Sequence, residues 1–172
     1  SSDVCSSDLK QGLLHDMSKY SPTEFWVGAK YYQGTRSPNN AEREDIGYSS
    51  AWLHHKGRNK HHYEYWIDYS MQALPGGMAP VPMPDKYIAE MIMDRIAASK
   101  VYMGDEYTDR SPLDYYYQGT DRAPIHPETK AKLLYVLEML AEEGEEKTFR
   151  FIKEELVQHK RCMDWHQLEK AE

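Results

Sequence analysis

Four histidines fall within nine residues of chain: His54, His55, His61 and His62. Imidazole is the commonest nitrogen ligand for zinc, iron, manganese and nickel. A lone inward histidine is usually a hydrogen-bonded core residue, but four at one junction have the donor density of a metal site. Helical spacing puts Tyr48, Trp52 and His55 on one face before Gly57, and His62, Tyr65, Trp66 and Tyr69 on one face after Asn59. His55 and His62 then both point inward, while His54 and His61 sit about 100° round from their neighbours.

Two further groups carry the same kind of chemistry. His15 and Asp16 stand side by side at a helix end, followed by Ser18 and Lys19. Such a pair can bind one cation, or bridge two if the carboxylate uses both oxygens; the plain alternative is an Asp near a turn with an exposed His. Asp94 falls in an apolar stripe with Tyr87, Met91, Ala98 and Val101 at helical steps. A buried carboxylate must be paired, protonated or bound to metal, so Asp94 is either a ligand or the partner of a Lys or Arg from another helix. Arg58 and Lys60 flank the histidine junction; they read most simply as solvated loop charge, and otherwise as holders of an oxyanion. Glu64 is placed to shuttle a proton or to fix the tautomer of a ligating His.

The elements that must position these residues are helical. Lys10 to Met17 reads as the end of one helix. Ser21-Pro22-Thr23-Glu24 is a strong start signal: a Ser cap, Pro at the first helical position and Glu at the third. This predicts a helix from Pro22 to about Gln33. A third is expected over Ala41 to Lys56, and Asn59 would cap a fourth from Lys60 to about Ala73. Leu74 to Pro84 holds four of the nine prolines and reads as a loop. Pro84 opens a long helix to about Met103. Shorter ones follow from Ser111, from His126-Pro127 to about Glu143, and from Glu146 to His159. No alternating pattern is sustained, so the fold class is all-α.

Composition sets the outer bounds. The chain has 172 residues, the length of one ordinary domain, and 14 Tyr and 4 Trp enlarge a modest apolar content. A net charge of −7 disfavours general nucleic-acid binding. Two cysteines are too few for a disulfide framework, which points to a reducing cytoplasm. No run approaches the ~20 apolar residues that a membrane helix needs. The Tyr115-Tyr116-Tyr117 run reads as an interface or as core packing.

In combination the motifs are more specific. His15-Asp16-Met17-Ser18-Lys19 resembles the HDxxK form of the HD superfamily motif. That resemblance implies a helical bundle and one or two divalent ions (Mn, Fe, Zn, Ni, Co or Mg), held by a His, then a His-Asp pair, then a distant Asp, here Asp94. Versions with two metals add His ligands between, the interval of His55, His61 and His62. The resemblance further implies a phosphohydrolase acting on a nucleotide or other small phosphorylated molecule. Asp16 would then hold the metal, Lys19 would neutralise phosphate charge, and Glu64 would move a proton. The alternatives are a dinuclear-iron oxygenase and a non-catalytic, metal-stabilised binding module. A closer resemblance spans most of Gln11 to Lys130, through QGLLHDMSKYSPTEFW, AWLHHKGRNKHHYEYW and MPDKYIAEMIMD. It is to an uncharacterised family of bacterial and phage HD-like proteins, and it implies a fold and a metal rather than a reaction.

The first nine residues, SSDVCSSDL, show no periodicity and resemble a translated sequencing adapter. The expected organisation is therefore a non-native or disordered leader over 1–9 and one helical HD-like domain over 10–172. The HD pattern begins with a His upstream of the His-Asp pair, and none precedes His15. His126 is the one substitute in view, although a position at a helix start suits a cap better.

Overall fold

In the computed structural model the chain is described over residues 16–34, 36–71, 77–119 and 122–158. His15, the leader over 1–9 and all but the last two residues of the helix end expected over Lys10 to Met17 lie outside the described residues; Asp16 is in a turn and Met17 opens a 3-10 helix. Among the described residues there are seven α-helices and one small two-stranded ribbon, so the fold is all-α. The chain forms two compact units, Ser1–Lys60 and His61–Glu172.

In the first unit a 3-10 turn at Met17–Tyr20 leads into α1 (Pro22–Tyr31), α2 (Pro38–Ile46) and α3 (Ser50–Lys56). Helix α1 packs against both α2 and α3. The Ser21 hydroxyl caps α1 by accepting from the Glu24 N–H at 3.4 Å, as the start signal predicts. The single helix expected over Ala41 to Lys56 is in fact two. Gly47 adopts φ 85°, a left-handed conformation that ends α2, and the Ser49 hydroxyl restarts the chain by accepting from Trp52 N–H. The Glu42 carboxylate, only 2% exposed, fixes this corner by accepting from the hydroxyls of Ser49 and Ser50, each at 2.6 Å.

The second unit corrects another expectation. Among the described residues no α-helix runs from Lys60 to Met71, where one to Ala73 is expected. Tyr63–Trp66 is a 3-10 turn, and Ile67–Tyr69 is a strand, β1, paired antiparallel with β2 (Met78–Pro80). Asn59 does not cap forward; its amide donates back to the His55 carbonyl at 2.9 Å and so closes α3 instead. The strand itself holds β-branched Ile67 and aromatic Tyr69, residue types that suit a pleated strand. The shared helical face of His62, Tyr65, Trp66 and Tyr69 therefore does not exist.

The rest of this unit is built from α4 (Asp85–Met103), α5 (Ser111–Tyr117), α6 (Pro127–Glu143) and α7 (Glu145–Phe151), which runs on as a π-turn to Val157. The buried row of α4 is Ile88, Ile92 and Ile96, one turn apart, with Ala89 and Met91 beside it. It meets Leu133, Val136, Leu137 and Leu140 of α6 in a single apolar core. The stripe expected through Tyr87, Met91, Asp94, Ala98 and Val101 is thus off-centre: Val101 is 77% exposed, and Asp94 is half-buried at the margin. Tyr116 belongs to the core, whereas Tyr115 and Tyr117 are exposed. Lys132 is buried within α6 and bonds Asp85 and Glu128, each at 2.7 Å. No described helix is long and apolar enough to cross a membrane.

Candidate metal centre

The buried set of the first unit is unusual in kind. Among its described residues the apolar members are two alanines, Ala41 and Ala51, and the polar members are Glu24, Glu42, Ser49, His55 and Asn59. Buried polar groups are costly unless each is satisfied, and here Glu24 and Asn59, together with half-buried Ser18, converge on one imidazole. His55 Nδ1 lies 2.8 Å from Glu24 Oε2, 3.0 Å from Asn59 Nδ2 and 3.1 Å from Ser18 Oγ. The other Glu24 oxygen lies 2.6 Å from His54 Nδ1. Trp52 stacks on the His55 ring, with centroids 5.6 Å apart and planes 29° apart, which limits rotation of the imidazole.

Proton bookkeeping fixes the roles. A carboxylate only accepts, so the Nδ1 atoms of His54 and His55 both donate to Glu24. Asn59 then gives its amide protons to Ser18 Oγ, at 2.8 Å, and to the His55 carbonyl rather than to the ring. Burial would by itself raise the Glu24 carboxyl, but hydrogen bonds from His54, Ser18 and His55 outweigh it and hold the group below the usual carboxylate range. Burial lowers the His55 pKa against the opposing pull of Glu24 and Asp16. In the neutral ring, with Nδ1 donating to Glu24, the lone pair lies on Nε2.

Nε2 faces Asp16 Oδ1 at 3.4 Å. Two electron-rich atoms facing each other at that separation are stabilised by a cation between or beside them. Asp16 is the predicted ligand of the His-Asp motif, and it sits at the start of the 3-10 turn. Lys19, one turn on, bonds the other Asp16 oxygen and is itself exposed.

In the second unit His61 is 1% exposed and its Nδ1 lies 3.2 Å from Glu90 Oε1 on α4. The His61 and His62 rings are 4.1 Å apart. His61 and His62 are thus two adjacent imidazole donors of the second unit, one buried and one half-buried.

The remaining predicted site residues fall in plainer places. The Arg58 guanidinium donates to the His54 carbonyl at 3.2 Å, and Arg58 and Lys60 are both exposed. Arg58 thus closes the end of α3. Glu64 is half-buried next to Tyr63, whose hydroxyl is pushed up to about 12 by burial with the Glu64 charge adding to it. Asp94 stands beside Arg95; burial lowers the Arg95 pKa, and the charges of Glu64 and Asp94 are among those that oppose it. His126 precedes α6 without a side-chain cap bond, and its Nδ1 is buried without a hydrogen-bond partner among the described residues.

Sequence reading missed Glu24, Asn59 and Glu90 as parts of a site. Glu24 was absorbed by the capping motif, and Asn59 by an expected cap. Glu90 stands between the core residues Ala89 and Met91, and its buried neighbours were the signal that could have singled it out.

Residues 3–139 match the Family of unknown function (DUF5662). The chain belongs to that family. The DUF5662 match spans Asp16, Glu24 and His55 of the first unit and His61 and Glu90 of the second, whereas α7 and its π-turn lie beyond it. No curated protein and no solved structure matches the chain.

Proposed function

We propose that this DUF5662 protein is a metal-dependent phosphohydrolase acting on a nucleotide or other small phosphate ester. The observation that carries the reading is the meeting of His55 Nε2, oriented by Glu24, with the Asp16 carboxylate at 3.4 Å. The HDxSK spacing of His15 to Lys19 supports it. The donor chemistry fits a divalent ion: a neutral imidazole whose far nitrogen is hydrogen-bonded, and a carboxylate whose second oxygen is held by an ammonium. Asp16 and His55 would hold the ion. When bound, such an ion supplies Lewis acidity and a water acidic enough to be deprotonated near neutral pH.

The chain's own groups do the rest. The Lys19 ammonium is exposed beside Asp16, where it offsets charge on an incoming phosphoryl oxygen. Trp52 and Glu24 keep the His55 ring from turning. Asn59 ties Ser18, next to the His-Asp pair, to the end of α3.

The test pairs metal analysis with a panel of nucleotides and phosphate monoesters. Purified protein is expected to retain a divalent ion and to hydrolyse at least one panel member, with Asp16→Asn and His55→Ala each lowering turnover by 100-fold or more. A protein that takes up no divalent ion, or whose phosphatase activity survives both substitutions, would overturn the reading.

A further inference from the structure

The cap of α1 departs from what its sequence sets up. In a capping box the third helical residue, here Glu24, reaches back to the backbone N–H of the capping Ser21. Ser21 N–H instead donates to the Ser18 carbonyl at 2.9 Å. The Glu24 carboxylate leaves the cap, is 6% exposed, and places one oxygen on each of two adjacent imidazoles of α3. Neighbouring residues on a helix point about 100° apart, so one carboxylate serves both only by lying between their two directions. A local interaction of helix α1 is thereby given up for a non-local one that orients two rings.

We propose that Glu24 is the positioning residue of this centre, holding His54 and His55 in the Nδ1-protonated tautomer so that both Nε2 atoms keep their lone pairs for a cation or a substrate proton. The role rests on the metal reading above. A free neutral histidine side chain favours the opposite, Nε2-protonated tautomer, so without Glu24 the His55 Nε2 carries a proton toward Asp16 and must lose it before a metal binds. Partners of this kind typically change metal affinity by about 10–100-fold. Asn59 cannot replace Glu24, because its amide faces His55 Nδ1 as a donor.

The experiment has a structural and a binding arm, both on the full chain. Long-range proton–nitrogen NMR of metal-free, nitrogen-15-labelled protein reads each ring's tautomer directly. Wild-type protein is expected to show His54 and His55 protonated at Nδ1. In Glu24→Ala the His55 proton is expected to move to Nε2, with at least a tenfold loss of Zn(II) and Mn(II) affinity by calorimetry. Glu24→Gln keeps the volume but offers one acceptor and one donor, so at least one of the two rings must change tautomer; this variant carries the test if the alanine variant does not fold. Unchanged tautomers and unchanged affinity in folded variants overturn the role of Glu24 alone. Wild-type protein that binds neither ion overturns the metal reading and this role with it.

Discussion

At the scale of single residues, two buried polar groups of the first unit, around Glu42 and around Glu24, are legible as chemistry. Glu42 and Glu24 are buried carboxylates whose hydrogen bonds decide their charge state. For Glu42, burial would raise the pKa, but the hydroxyls of Ser49 and Ser50 outweigh it and hold the group below its ordinary value. A carboxyl lowered in the folded state contributes stability that is present above the unfolded pKa near 4.5 and lost as pH falls through the folded value. Melting temperature is therefore expected to drop below about pH 4.5, and Glu42→Gln is expected to shrink that acid limb while costing roughly 1–3 kcal/mol at neutral pH. A flat acid profile in the wild-type protein would contradict this account. Of the site, the His-rich junction and the His-Asp pair could be read from residue type alone. Glu24 could not, because at the third position of a helix a glutamate has a sufficient local explanation. Only the three-dimensional partner of its carboxylate distinguishes the two uses.

At the scale of elements, the prolines and capping serines marked most helix starts: Ser21-Pro22, Ser111-Pro112 and Pro127 all sit where expected. The misread boundaries share one cause, which is that a glycine or asparagine can end a helix as well as allow it. Gly47 lies inside a helical pattern, yet it divides the helix in two. Asn59 has the residue type of a helix start, yet its amide closes the helix before it. The Gly47 conformation is testable. No atom would touch an added Cβ there, so Gly47→Ala isolates the cost of the left-handed backbone, expected at about 1–2 kcal/mol in denaturant unfolding. A neutral substitution would show that the α2–α3 corner can relax. The apolar stripe of α4 was misplaced because sequence periodicity counts residue types and cannot see that the Ile88, Ile92, Ile96 row is the one that meets α6.

At the scale of the molecule, the second unit carries the apolar core, while the described interior of the first is mainly polar and converges on His55. Any ion that binds the folded chain and not the unfolded one adds stability in proportion to its saturation. At one hundred times its dissociation constant a divalent ion is expected to add about 2.7 kcal/mol, or roughly 5–10 °C in melting temperature, and EDTA is expected to reverse it. A melting temperature indifferent to both would count against a specific centre. The β1–β2 ribbon adds a kinetic consequence. Two three-residue strands have too few pairings to be stable alone, so their amides should exchange with solvent by local opening well before those of α4 and α6. The segment just after His61 and His62 would then breathe on its own timescale, so the His61–Glu90 contact could loosen and re-form while the helices beneath it stay folded.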